Sequence, residues 1–319
     1  MLKNSQVPVL ITWDVDPELW MRLENRQRCL NRVIDLCEEL DLRSTFFITA
    51  NVVHQYPDEL QRMKALGQEV GCHGLTHTDE EEYNRMPEAK QRAYIEEATS
   101  KLEALVDSPI RAFRSPRVKT SATTLRLLAE HGYLADSSVC SQRLDIISSN
   151  LINKGWLLAP RRPYRPHRTN PFKRGDLPIW EIPLSALVVP FTSKALSTLG
   201  LPAMKLFFRL LYTESRRTGK PIVYLSHPTE FPTRLAEKGK GPSAFRFFNP
   251  QGLPFFHPKF FSPRVIRTHG LLIRRLLVRM DGTTLFHNSR ELFTYMASFP
   301  GATFMTFSDY TTCNLQEAS

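Results

Sequence analysis

Short apolar runs broken by polar residues mark the first third of the chain. Residues 7–13, VPVLITW, are apolar and rich in β-branched side chains, and the run ends at Asp14. This predicts a strand buried on both faces. Residues 18–41 place Leu19, Leu23, Leu30, Val33, Ile34 and Leu36 at helical spacing, so a helix is expected there. STFFIT (44–49) reads as a second strand and QEVGC (68–72) as a third that ends at His73. A helix over 57–66 lies between them, with Gly67 at its stop. The alternation continues with a helix over 87–106, a strand over 110–113 running into Arg114, and a helix over 120–131 closed by Gly132. Strands over 179–184 and 221–226 flank a helix over 194–218. A helix over 289–297 and a strand over 303–307 end the pattern.

Alternating strands and helices predict an α/β fold on a parallel sheet, open or closed into a barrel. The Pro-rich stretch near 160–171 reads as a long loop. A single domain is expected over 1–319, with its core over about 7–232 and 285–313. Residues 233–284 are an insertion that a simple barrel does not require.

The composition, 42% hydrophobic and 23% charged over 319 residues, is that of an ordinary globular chain. The stretch MLKNSQVPVLITWD has no apolar run long enough for a signal peptide, and no later run approaches the ~20 residues that span a bilayer. A cytoplasmic chain is therefore expected. The five cysteines form no Cys-x-x-Cys pair, which argues against a disulfide framework and points to buried, inert thiols.

The net charge of +10 is confined to two stretches. Residues 154–174 carry seven Lys or Arg and no acid; residues 233–280 carry ten and a single acid, Glu237. In the second stretch, phenylalanines such as Phe247, Phe255 and Phe260 alternate with prolines and basic residues. Residues 264–280 then read as a helix with arginines on one side and aliphatic residues on the other. A basic amphipathic helix beside aromatic residues suits peripheral contact with an anionic membrane through 245–280, at its inner face for a cytoplasmic protein. The ordinary alternative is a surface helix packed on the barrel. No nucleic-acid motif accompanies the charge, so no nucleic-acid partner is expected.

Polar residues at strand ends carry the candidate chemistry. Asp14 and Asp16 follow the first strand, and alternation in extended chain puts both on one side. His73-Gly74-Leu75-Thr76-His77 follows the third, and two histidines four apart can ligate one metal through imidazole nitrogens. Gly71 and Gly74 allow a tight turn and close backbone approach there. Arg114-Ser115-Pro116 follows the fourth strand, where a guanidinium can hold a carboxylate on two hydrogen bonds. Leu225-Ser226-His227 ends a later one. Each element alone has a plain structural reading: loop acids, core histidines, a surface arginine.

Taken in order, acid pair, His-x-x-x-His, Arg-x-Pro and Leu-x-His, the set resembles the polysaccharide deacetylase family, also called the NodB-homology or carbohydrate esterase 4 family. The resemblance runs over roughly residues 7–140, with weaker support from 179–230 and 289–310. It implies a distorted (β/α) barrel of the NodB-homology type, here with a basic, aromatic-rich insertion near the C-terminus. It also implies one divalent metal, most often Zn2+, and removal of an acyl group from an N-acylated saccharide, which could be lipid-linked or nucleotide-linked. Asp16, His73 and His77 resemble the metal ligands, Asp14 the general base and Arg114 the residue holding that base. His227 resembles the general acid and Leu225 the apolar lining of the acyl pocket, while Pro116 and Asp136 are placed at the substrate. The chain departs from the family pattern at Val15, which separates the two aspartates, at Gly74 and at Arg117. Two alternatives share the scaffold: another C–N amide hydrolase such as a deformylase or ring-opening amidase, and a non-catalytic carbohydrate-binding protein.

Overall fold

The structure, a computed structural model, describes residues 6–142, 154–232 and 280–315. Strand β1 (Val7–Val15) leads to helix α1 (Leu23–Glu39), β2 (Ser44–Ile48), α2 (Pro57–Ala65) and β3 (Glu69–Cys72). There follow α3 (Glu88–Val106), β4 (Ala112–Phe113), α4 (Ala122–Glu130), β5 (Ala135–Asp136) and α5 (Lys154–Leu158). Next come β6 (Pro166–His167), β7 (Asn170–Arg174), β8 (Trp180–Glu181), β9 (Ala186–Leu187) and β10 (Val189–Pro190). Helices α6 (Ser193–Leu199) and α7 (Leu201–Thr218) precede β11 (Ile222–Ser226). The last described elements are α8 (Gly282–Ala297), β12 (Ala302–Phe304) and α9 (Phe307–Tyr310).

The main sheet runs β11-β1-β2-β3-β4-β5-β8, and β12 pairs with the first residues of β1. Every pairing in it is parallel. The segment after β8 closes the ring against β11: Ser185 N–H donates to Val223 O (3.3 Å), and Thr192 bridges Leu225. A curled parallel sheet wrapped by helices is thus the distorted (β/α) barrel that the alternation predicts.

Alternation along β1 separates its two environments. Val9, Ile11, Trp13 and Val15 belong to the large apolar layer between sheet and helices. Leu10 faces the barrel interior with Phe47, Val223 and Leu225. Trp13 anchors the outer layer; it is fully buried, stacks on Phe46 at 6.2 Å and meets Phe231 and Phe293 edge-on. Truncating such a residue costs about 3–5 kcal/mol.

The structure departs from the sequence reading in several places. β1 continues past its apolar run to Val15, because Asp14 and Val15 keep their pairing with Phe47 and Ile48. α1 begins at Leu23 rather than residue 18. Residues 16–22 instead form a loop pinned where Arg26 Nη1 donates to Pro17 O (2.7 Å), and it leaves Leu19 and Trp20 exposed. The helix expected over 194–218 is two helices, broken at Gly200 with Pro202 opening the second. The Pro-rich stretch contains the β6–β7 hairpin rather than loop alone. β5, only two residues long, is too short for any periodicity to reveal. α8 starts at Gly282 because the Asp281 side chain accepts from Thr284 N–H (2.8 Å).

Residues 233–279, which hold most of the expected insertion and its basic helix, lie outside the described residues. Cations of the other basic stretch are committed to the fold. Arg161 pairs with Glu214, Arg168 pairs with Asp176, and Arg165 lies over Trp180. No helix among the described residues is long and apolar enough to cross a membrane.

Gly71, next to the first strand-end histidine, is required by space. A Cβ there would lie 2.7 Å from the Phe47 ring and 3.1 Å from Ala112 O. Gly71→Ala is expected to destabilise the protein by about 1–3 kcal/mol through overpacking, measurable as a lower urea midpoint with an unchanged slope.

Candidate active site

The C-terminal ends of β1, β3, β4 and β11 deliver side chains to one mouth of the barrel, as parallel closure requires. Thr12, Asp14 and Asp16 share the inward side of β1 and its extension. His73 follows β3, Arg114 follows β4 and His227 follows β11.

Arg114 is fully buried, and its guanidinium is spent on this framework. Nη1 donates to Asp14 Oδ1 (2.7 Å) and Thr12 Oγ1 (2.8 Å). Nε donates to Ser137 O (3.0 Å) and Nη2 to Ser137 Oγ (2.9 Å). Its flat face lies 4.3 Å over the Phe47 ring. Asp14 is thereby fixed with one oxygen held and the other 3.8 Å from His73 Nε2.

The backbone of Arg114 acts as well. Arg114 O lies 2.8 Å from His73 Nδ1, and a carbonyl can only accept. Nδ1 therefore carries a proton, and in the neutral ring Nε2 is the atom that presents a lone pair to the mouth. His73 Nε2 and His77 Nε2 face Asp16 Oδ1 at 3.3 and 3.5 Å. One ligand atom from each of the three residues lies within 4.8 Å of the others. Asp16 Oδ1 is buried without a hydrogen bond, a costly state for a carboxylate oxygen unless a cation meets it. Two imidazole nitrogens, one carboxylate oxygen and an orphaned acceptor fit a divalent cation with a further coordination position to spare. Burial pushes the Asp16 carboxyl up, but the charges of His77, His227 and His73 outweigh it and hold it far below the usual carboxylate range.

His227 stands on the other side of Asp16, its Nε2 3.8 Å from Asp16 Oδ2. Its Nδ1 faces Glu230 Oε1 at 3.2 Å. Glu230 in turn accepts from Ser193 Oγ and pairs with Lys194 at 3.3 Å. Burial disfavours the imidazolium of His227, yet Glu230 more than offsets this and raises its pKa above the ordinary value. Burial lowers the pKa of His77.

The remaining expected residues sit behind this mouth. Leu225 is 7% exposed and lies in the interior apolar cluster with Leu10, Val223 and Phe307. Pro116 is buried, its ring against Gly74. Asp136 is fully buried; its Oδ1 accepts from Ser138 Oγ (2.6 Å), and its carboxyl meets that of Glu181. Burial drives both carboxyls up, Glu181 well above the usual range, so the two hold one proton between them. Glu181 also accepts from Val139 N–H (3.0 Å), and Ser138 Oγ accepts from Ser115 N–H (2.8 Å). Asp136 therefore braces the turn that carries Ser137 and thus Arg114.

Sequence reading does not find Glu230, Glu181 or Glu81. Glu181 had a signal, a lone acid inside the apolar run IWEIPL. Glu230 and Glu81 follow a site histidine by three and four residues, a spacing too common to single out.

The polysaccharide deacetylase family model matches residues 2–135, which contain Asp14, Asp16, His73, His77, Arg114 and Pro116. A chitin deacetylase from Colletotrichum lindemuthianum is 29% identical over 86 residues, which are 25% of this chain and 35% of that protein. The chain thus spans about a third of the length of that relative. Among solved structures, a Mycobacterium smegmatis protein assigned to the polysaccharide deacetylases superposes with a TM-score of 0.56. The superposition covers 98% of this chain and 91% of that one at 14% identity. A Puue allantoinase superposes with a TM-score of 0.55 over 97% of this chain and 91% of that one at 15% identity. Residues 2–135 are thus similar to the polysaccharide deacetylase family, and the described residues share the barrel fold of these solved structures.

Proposed function

We propose that the protein is a metal-dependent amide hydrolase that removes an acyl group from an N-acylated saccharide. The observation that carries this reading is the cluster of Asp16, His73 and His77 beside an Asp14 clamped by a buried arginine, with His227 opposite. A binding protein has no use for a carboxylate held in this way, and the arrangement supplies each group that amide hydrolysis needs. A divalent cation held by Asp16, His73 and His77, with zinc the leading candidate, would polarise the acyl carbonyl and acidify a water.

The protein's own residues handle the protons. Asp14 uses the oxygen that Arg114 does not hold to take a proton from the attacking water. Arg114 keeps that carboxylate aimed, with the ion pair at 2.7 Å. His227, protonated on Nε2, gives its proton to the departing amine nitrogen. Glu230 behind Nδ1 keeps the ring charged and oriented until then. Leu225 gives the acyl group an apolar wall. The carrier of the sugar, lipid diphosphate or nucleotide, belongs to the same proposal and is read by product assay.

Release of acetate from N-acetylated saccharides is the expected activity, abolished by chelation and restored by added zinc. Formate release instead would move the reading to a deformylase on the same fold. Asp14→Asn is expected to lose about 10²–10⁴-fold in kcat while binding metal as the wild type does. Near-normal turnover in that variant would remove Asp14 from the role of base.

The pH profile tests His227. A general acid works while protonated, so a raised pKa extends activity toward alkaline pH. Glu230→Gln removes the anion that raises it and is expected to shift the alkaline limb of kcat/KM to lower pH. An alkaline limb that stays in place would separate Glu230 from the acid.

A further inference from the structure

The loop from His73 to His77 closes around a carboxylate that does not belong to the metal cluster. Glu81 is fully buried. Its Oε1 accepts from Leu75 N–H (2.7 Å) and Tyr83 O–H (3.1 Å). Its Oε2 accepts from Thr76 N–H (2.7 Å), His77 N–H (2.7 Å) and Thr76 Oγ1 (2.9 Å). Three successive backbone amides therefore converge on one acid, the geometry of an anion nest filled by the chain itself.

Two carbonyls of the loop are also held. Gly74 O and Leu75 O accept from Ala50 and Asn51 N–H at 3.0 and 2.9 Å. The amides of 75–77 point the other way, and Glu81 supplies their acceptors. His77 sits at φ +57°, a left-handed conformation that residues with a Cβ rarely adopt. The pull of Glu81 on the His77 amide holds it there, with its ring toward Asp16. Gly74 fits the same device. A Cβ on it would lie 2.6 Å from Glu81 Oε1 and 2.7 Å from Pro116 Cγ, and its own φ is +75°. Gly74 thus makes room for the Glu81 carboxylate.

We infer that Glu81 is a positioning residue for the metal, clamping the amides of 75–77 so that His77 faces Asp16 before any cation arrives. This rests on reading Asp16, His73 and His77 as the ligands. A loop already ordered gives up little conformational freedom on binding, and the metal affinity rises accordingly. A glutamine in the same place would keep one acceptor oxygen but turn an amide N–H2 toward donors.

The test compares full-length wild type, Glu81→Gln and Glu82→Gln, all stripped of metal. Zinc affinity is read by competition with a chromogenic chelator. Protection of the amides of 75–77 is read by hydrogen exchange in the metal-free proteins. Glu81→Gln is expected to bind zinc about 10–100-fold more weakly and to lose protection at 75–77 while keeping it in β1. Glu82→Gln, whose carboxylate faces Lys119 and Arg117, is expected to match wild type in both readouts. Should Glu81→Gln not fold, Glu81→Asp keeps the charge, withdraws it by one methylene, and is expected to weaken zinc in the same direction. Wild-type affinity and wild-type protection in the Glu81 variants would overturn the inference alone. A wild-type protein that binds no zinc would overturn the ligand reading and this inference with it.

Discussion

The buried guanidinium of Arg114 is the constraint on which the site depends. Its side chain ties β1 to the turn after β5 through Thr12, Asp14 and Ser137, and its face rests on Phe47 from β2. Its carbonyl fixes the tautomer of His73. One residue thus sets both the proposed base and a proposed metal ligand. An unpartnered charge this deep is untenable, so removing either member of the Arg114–Asp14 pair would cost about 3–5 kcal/mol. Stability and chemistry are therefore coupled at this point.

The acids around it are arranged so that each has a distinct charge state. Asp16 is held ionised by three imidazoles. Glu230 is held ionised by Lys194, His227 and Ser193 against the pull of burial. Asp136 and Glu181 are pushed the other way by burial, which outweighs the charge of Arg114, and share a proton. Burial alone would neutralise every one of these carboxyls; the partners decide which remain charged. The acids held ionised line the mouth, and the proton-sharing pair lies behind, where it holds the Ser137–Val139 turn in shape.

Much of this was legible in the sequence, for reasons that differ along the chain. The buried strands were visible because a two-faced core demands continuous apolar runs, as in VPVLITW and PIVYLS. Asp14, Asp16, His73, Arg114 and His227 stood out because polar residues directly after such runs sit at the barrel mouth. β4 was legible from the run into Arg114, but β5 is two residues long, and periodicity cannot define an element that short. Leu19 carried helical spacing in the sequence yet lies in an exposed loop, since Pro17 and its contact with Arg26 delay α1. The supporting acids were illegible because their meaning is three-dimensional. Asp136 read as a substrate contact and is fully enclosed, and nothing in the chain order of Glu81 announces that three amides converge on it.

The central claim is that Asp16, His73 and His77 hold a metal. Elemental analysis of the purified protein beside the His73→Ala/His77→Ala double variant tests it most directly. The account predicts about one divalent metal per wild-type chain and none in the variant, with both proteins folded. Absence of metal from the wild type after reconstitution with zinc, or equal metal in both proteins, would contradict it.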